Sequence, residues 1–233
     1  KNFKLINNIY GIRVGDDILR YLAKIMSKAL TDGLAARYSD DQFVMFTSIS
    51  KNDFEKRLEN AVKYISENAP IANLLVKYGV YKDVDKSISI SEICDRAIMA
   101  MKSIQLNYEK NIAYYDDQLG QQHIREVMME NDFENALRNE EFEVWFQPKY
   151  NVQTEKIAGA EALIRWRKQD GSMVSPGAFI PLFERDGLIT RLDAYVFKKV
   201  CQIQKERLTQ GKAFFPISIN LSRASLHHEG LVE

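Results

Sequence analysis

EALIRW, residues 161–166, is the stretch that decides the fold of this chain. Apolar and β-forming residues there surround one carboxylate and one guanidinium, which predicts a strand that carries chemistry on one face. Two further strings have the same character, FQP at 146–148 and INLS at 219–222. All three lie toward the carboxyl halves of their predicted strands. Barrel enzymes place their active-site residues at that end of the strands.

Side chains alternate across a strand, so Glu161, Leu163 and Arg165 share one face. If the faces bearing Gln147 and Asn220 line the same barrel mouth, an acid, two amides and a guanidinium converge. Oxygen ligands of this kind suit a divalent cation that activates water for phosphodiester hydrolysis. Taken singly, Glu161 and Arg165 could instead form a structural ion pair, and Asn220 could satisfy backbone groups at a strand end.

The second half of the chain alternates strands with helices. The pattern predicts strands at 142–150, 157–166 and 214–221, and helices at 176–185 and 190–208. This alternation is typical of the βα units of a parallel barrel. Three strands are too few to close an eight-stranded barrel.

The first half also alternates, which predicts a separate α/β sheet domain. The predicted elements are a helix at 14–30, a hairpin of 34–37 and 43–48, a helix at 53–66, a strand at 74–81, a helix at 91–104 and a strand at 112–115. We place this domain at 1–117, a helical connector at 118–139 and the barrel-like domain at 140–233. The connector carries an apolar face that we expect to pack on a domain or on another subunit.

Composition excludes several classes of protein. Lys plus Arg and Asp plus Glu both number 32, so no basic field favours a nucleic-acid partner. Cys94 and Cys201 lack metal or redox spacing, which predicts reduced core thiols of a cytoplasmic protein. No apolar run is long enough for a membrane span, so we expect any tether to the inner membrane to lie in segments upstream of this sequence.

The motifs QP, EALxRW, PxxFIPxxE (ending at Glu184) and NxS occur in the order that resembles the EAL family of bacterial cyclic di-GMP phosphodiesterases. The resemblance implies a TIM-like barrel in which Glu161 and Asn220 bind Mg²⁺ or Mn²⁺. It also implies that Gln147, Leu163 and Arg165 contact cyclic di-GMP, and that Glu184 supports the structure.

The string FKLINNIYG at 3–11, followed by Gly15 and Asp16, resembles the signature of diguanylate cyclases with a GGDEF domain. The resemblance implies that Asn7 and Asp16 occupy guanine-contacting positions and that Lys4 occupies a phosphate-contacting one. Asn7 and Asp16 could also be a turn residue and a helix N-cap.

The cyclase motif itself is altered, because SDDQF at 39–43 stands where the family has GGDEF. Asp41 keeps one carboxylate, whereas Gln42 replaces the acid needed for catalysis. Lys102 matches a family position, but Leu106 stands where a phosphate-binding arginine is expected. We therefore predict no diguanylate cyclase activity. Such a domain can still bind GTP or act as a dimerising spacer, and we favour the spacer in a homodimer.

The leading hypothesis is a GGDEF-EAL protein that hydrolyses cyclic di-GMP to linear pGpG, with an inactive regulatory GGDEF domain. Further metal ligands of the family fall after Glu233, so we expect the 233 residues alone to be inactive. A receptor that binds cyclic di-GMP without cutting it, and a scaffold that binds no nucleotide, are the alternatives.

Overall fold

A computed structural model describes residues 2–30, 32–48, 51–72, 74–105, 107 and 109–226. The chain divides into two compact units, residues 1–120 and 121–233. Among the described residues, no helix is both long enough and apolar enough to cross a membrane.

The first unit alternates helices with two separate two-stranded sheets. Its elements are α1 (Asn2–Tyr10), α2 (Ile12–Ala29), β1 (Leu34–Ser39), β2 (Gln42–Phe46), α3 (Lys51–Asn68), β3 (Tyr78–Val80), α4 (Ile90–Ser103) and β4 (Ile112–Tyr114). β1 and β2 form an antiparallel hairpin, whereas β3 and β4 pair in parallel. The predicted alternation is confirmed, but the strand expected at 74–81 is shorter because β3 pairs only along the three residue pairs that it shares with β4.

The second helix begins earlier than its apolar pattern indicates. Gly11, with φ 88°, separates α1 from α2 and is the N-cap of α2. Asp16 therefore lies inside the helix, and the prediction that Asp16 caps it is wrong. Gly15 allows α1 to approach closely, since a Cβ there would lie 2.0 Å from Asn7 Oδ1. Ile18 is buried one turn further on.

Glycine is also required where β3 crosses α4. A Cβ on Gly79 would lie 1.8 Å from the Ala97 carbonyl oxygen and 2.6 Å from the Met101 backbone nitrogen. Both neighbours belong to the helix backbone, which cannot move aside as a flexible side chain can. Strand and helix therefore pack at this distance only without a side chain at position 79.

The second unit places helices against one face of a small sheet. Its elements are α5 (Asp117–Arg138, which begins before the unit boundary), β5 (Phe142–Tyr150), β6 (Ile157–Arg167), β7 (Met173–Val174), α6 (Pro176–Asp186), α7 (Ile189–Thr209), β8 (Ile217–Ile219) and α8 (Arg223–Leu226). β6 is central and pairs with β5, β7 and β8. The strand predicted at 214–221 is shorter, because only Ile217–Ile219 pair with β6.

The pairing of β5 with β6 differs from the all-parallel arrangement that the strand and helix alternation predicts. These strands are antiparallel, from Phe142 opposite Trp166 to Tyr150 opposite Ile157. Residues 151–156 alone connect them, which suffices for a hairpin but not for the crossover that a parallel pair needs. β6 and β8 are parallel, as expected.

One face of this sheet builds an aromatic core with the helices. Phe142 and Trp166, with ring centroids 5.0 Å apart, contact Phe179 and Phe183 of α6. Phe133 of α5 joins the cluster and is fully buried. Phe133 and Leu137 of the predicted apolar face of the connector pack on this core. Ile124, Val127 and Met128 of the same face are exposed, so the packing prediction is confirmed only for the carboxyl-terminal part of the helix.

Asp193 of α7 is a buried carboxylate that holds the segment after β8. Its Oδ2 accepts hydrogen bonds from the Ser222 backbone N–H at 2.9 Å and from the Ser225 hydroxyl at 2.6 Å. The same helix exposes Cys201, because Val196 and Val200 define its buried side. The core-thiol prediction is thus confirmed for buried Cys94 and wrong for Cys201.

We predict that Gly79→Ala destabilises the first unit by about 2–4 kcal/mol, because the new methyl group overlaps the α4 backbone. Urea unfolding followed by circular dichroism measures this loss. Gly177→Ala is the matched control, since a Cβ there meets only the Ser175 hydroxyl oxygen at 3.7 Å. Equal stability of the two variants would contradict the packing argument.

We predict that Asp193→Ala lowers the free energy of unfolding by about 1–3 kcal/mol, because two donors lose their acceptor. Asp193→Asn keeps one oxygen at the same place and should lose less. Glu184, for which the resemblance implies a structural role, is exposed on α6, so Glu184→Ala provides the baseline for a surface carboxylate. An Asp193→Ala protein as stable as the wild type would show that the carboxylate does not hold this segment.

Candidate functional site

The three strings meet on the sheet face opposite the aromatic core. Gln147 of β5 lies directly opposite Glu161 of β6, and Ser218 of β8 pairs with Glu161 from the other side. Directly paired residues project to the same face of a sheet. Gln147, Glu161 and Ser218 therefore form a polar row across three strands. Glu161 lies in the interior of β6 rather than in its carboxyl half.

Asn220, just after β8, contacts the carboxylate of this row. Its Nδ2 donates a hydrogen bond to Glu161 Oε1 at 2.8 Å. The side chain thus serves Glu161 and not merely the backbone at the end of the strand. Asp193 fixes the following residues through Ser222, which positions Asn220 from the buried side.

Lys149 is a member of the site that the sequence reasoning missed. Its Nζ donates to the Ser218 hydroxyl at 2.6 Å and lies 3.9 Å from Glu161 Oε2. The alternation of side chains along a strand could have predicted its position, because Lys149 follows Gln147 by two residues and so projects to the same face. As a residue type, lysine is mostly exposed, so Lys149 carries no signal of its own.

Arg165 occupies the same face but has other partners than Glu161. Its Nη1 donates to the Ile164 carbonyl at 2.8 Å, and its guanidinium carbon lies 5.7 Å from the centre of the Trp145 ring. Leu163 lies opposite Trp145 across the β5–β6 pair. The ion pair between Glu161 and Arg165 that the sequence left open is therefore not formed.

Trp145 is held in place on this face. Its indole N–H donates to Glu143 Oε2 at 2.9 Å, and Arg167 Nε donates to the other carboxylate oxygen at 2.7 Å. Hydrogen bonds from Arg167 and Trp145 lower the pKa of Glu143. The carboxyl group therefore stays charged and fixes the tryptophan ring beside Arg165.

Glu161 and Asn220 offer the oxygen ligands that a hard divalent cation prefers, but two side chains are too few to complete its coordination shell. A carboxylate and an amide lie side by side, and oxygen ligands are what Mg²⁺ and Mn²⁺ prefer. Within the described ranges, no group of three or more His, Cys, Asp or Glu side chains could hold a metal ion. Glu161 and Asn220 thus supply part of a coordination shell.

Three of the residues that resemble the cyclase site lie on the helix pair α1 and α2 of the first unit. Lys4 is exposed on α1, Asp16 is exposed on α2, and Asn7 of α1 packs against Gly15 of α2. Asn7 Oδ1 is buried without a hydrogen-bond partner. Asn7 and Gly15 therefore keep the two helices in close contact, and the Asn7 amide oxygen accepts no hydrogen bond there.

The altered cyclase motif forms the tip of the β1–β2 hairpin. Asp40 and Asp41 make the turn, and Gln42 is the first residue of β2. Arg37 Nε donates to the Asp40 carbonyl at 2.8 Å, so the tip folds back on its own strand. Lys102 is exposed on α4, and Leu106 lies outside the described residues.

Two protein families match the two halves of the chain. Residues 1–111 match the family of the diguanylate cyclase GGDEF domain, and residues 130–233 match the EAL domain. The matches cover both sets of strings from which the resemblance was inferred.

Relatives align along nearly the whole chain. The bifunctional diguanylate cyclase/cyclic di-GMP phosphodiesterase MucR of Pseudomonas aeruginosa is 26% identical over 99% of the chain and 35% of its own length. The biofilm architecture maintenance protein MbaA of Vibrio cholerae is 30% identical over 97% of the chain and 30% of its own length. The chain thus spans about a third of the length of these curated relatives.

A solved structure supports the fold. The S helix-GGDEF-EAL segment of Vibrio cholerae LapD, bound to c-di-GMP, matches 97% of this chain and 54% of its own chain, with 18% identity and a TM-score of 0.53. GGDEF and EAL domains follow one another in that protein as the matched families do here. The chain therefore belongs to the tandem GGDEF-EAL proteins of cyclic di-GMP signalling.

Proposed function

We propose that the protein carrying this chain is a metal-dependent phosphodiesterase that hydrolyses cyclic di-GMP to linear pGpG. The observation that supports this most directly is the row of Gln147 and Glu161 with Asn220 in contact. Each residue matches the EAL pattern, and the three share one accessible sheet face. MucR is named for this activity, among others.

In this proposal Glu161 and Asn220 hold Mg²⁺ or Mn²⁺ together with ligands from outside the described residues. The bound cation would neutralise charge on the phosphodiester and activate the attacking water. Asn220 contributes by orienting the carboxylate through its amide N–H, and Asp193 contributes by fixing the segment that carries Asn220.

Arg165, Leu163 and Gln147 are the proposed substrate contacts. A guanidinium presents forked donors that match phosphate oxygens. The Trp145 ring beside Arg165 keeps this group on the accessible face, while Gln147 offers both a donor and an acceptor in the row of Glu161. Leu163 supplies apolar surface between Glu161 and Arg165 on the same face of β6.

We propose a regulatory, non-catalytic role for the GGDEF domain. Its hairpin tip lacks the glycines that let a backbone approach a nucleotide, and Arg37 already engages the backbone of the turn. The domain would act as a spacer between copies of a homodimer, and the residual Lys4, Asn7 and Asp16 positions leave GTP as a candidate allosteric ligand.

We predict that Glu161→Gln in the full-length protein reduces Mg²⁺- or Mn²⁺-dependent formation of pGpG by a factor of about 100 or more, because a charged metal ligand is lost. Separation of nucleotides by chromatography measures turnover. Glu184→Gln, an exposed acid on α6, is the control and should retain wild-type activity.

Three outcomes are informative. If the wild type forms pGpG and Glu161→Gln does not, the result supports the phosphodiesterase hypothesis. Binding of cyclic di-GMP without any turnover by the wild type would favour a receptor instead. Absence of both binding and turnover would favour the scaffold.

We predict that the full-length protein makes no cyclic di-GMP from GTP with Mg²⁺, and that Gln42→Glu does not restore synthesis. The substitution returns one acid but leaves Ser39 and Asp40 in place of two glycines. Thermal denaturation with and without GTP reports binding separately from turnover. Synthesis by either protein would refute the assignment of an inactive domain.

A further inference from the structure

The Lys149 side chain crosses the central strand to reach β8. Lys149 belongs to β5, its partner Ser218 belongs to β8, and β6 lies between them. The residue opposite Lys149 on β6 is Gly159. A Cβ on Gly159 would lie 2.9 Å from the Pro216 carbonyl oxygen, so glycine lets the backbone before β8 approach β6 closely. Lys149 thus reaches from one neighbour of β6 to the other across a position that carries no side chain.

The ammonium group has one close contact and one loose contact. The Ser218 hydroxyl lies at 2.6 Å, whereas Glu161 Oε2 lies at 3.9 Å, near the outer limit of an ion pair. Glu161 Oε1 is meanwhile held by Asn220. The Glu161 carboxylate thus has an amide on one oxygen and a cation facing the other.

We propose that Lys149 is a resident counter-ion of Glu161 that competes with a divalent cation for that carboxylate, and so raises the metal concentration that the site requires. This inference rests on the proposed function, since it assumes that Glu161 binds a metal. Lys149 acts through Glu161 and is therefore a positioning residue rather than a catalytic one.

Electrostatics gives the direction of the effect. A divalent cation binds a carboxylate oxygen at about 2.0–2.6 Å, which places two positive groups on the same side chain. Their repulsion must be overcome, or the ammonium must move away from Glu161 while it keeps Ser218. Either process weakens metal binding, and the repulsion disappears if the lysine charge is removed.

A purely structural lysine would behave in the opposite way. If Lys149 only arranged the site, its removal would loosen Glu161 and weaken the binding of metal. The sign of the change in affinity therefore separates the two roles. Substitution of Ser218 should change the metal affinity in the other direction. Without the Ser218 hydroxyl, the Lys149 ammonium is free to approach Glu161, and metal binding should weaken.

The test is calorimetric titration of the full-length protein with Mn²⁺ alone, in the absence of nucleotide. We expect Lys149→Met to bind Mn²⁺ about five- to tenfold more tightly than the wild type, and Lys149→Arg to bind like the wild type. Ser218→Ala should bind more weakly. Lys156→Met, which removes an exposed lysine from the turn after β5, is the control and should change nothing.

Unchanged or weaker binding by Lys149→Met would overturn the competition. If Lys149→Met fails to fold, Ser218→Ala decides, and an affinity equal to or above that of the wild type overturns the proposal. The role of the metal itself is tested separately. Wild-type binding that Glu161→Gln does not weaken would show that Glu161 is not a ligand, and both proposals would then fail.

Discussion

The second unit depends on the two-residue period of β6. Along this strand, Ala160, Ala162 and Trp166 point into the helix layer, whereas Glu161 and Arg165 point away from it. A register shift of one residue would bury a carboxylate and a guanidinium and expose the tryptophan. The aromatic core therefore does more than stabilise the sheet, because it fixes which face carries the polar row.

That constraint explains how much of the site could be predicted. Gln147, Glu161 and Asn220 were identified because polar residues interrupt apolar strands, and strand alternation alone put Glu161, Leu163 and Arg165 on one face. Lys149 was not predicted to belong to the site, because a lysine near a strand end is usually solvated. Its role depends on the register across three strands, which is not visible along a single strand.

The errors in the fold have similar causes. Helices with long apolar periods were located well, but their first residues depend on backbone geometry, such as the positive φ of Gly11 that starts α2 before Val14. The antiparallel β5–β6 pair follows from the short link at 151–156, whereas the alternation of elements suggested only parallel units. Burial of Asp193 required knowledge of the segment after β8.

The two units differ in what their motifs retain. In the first, Asn7 packs closely on Gly15, whereas the hairpin tip has Ser39, Asp40 and Gln42 where the family pattern has two glycines and a glutamate. A packing contact of this kind stabilises the domain whether or not the domain is catalytic. In the second, the polar face keeps its acid, amides and arginine, although none of them is needed for the core.

The two tryptophans of the chain lie on opposite faces of the same sheet. Trp166 is 0% exposed within the aromatic core, whereas Trp145 is 48% exposed beside Arg165. Their indoles sit in an apolar and a hydrated environment, so their fluorescence emission should differ in wavelength and in access to quenchers. This domain thus contains one intrinsic optical reporter of its folding and a second, separable reporter of events at the polar face.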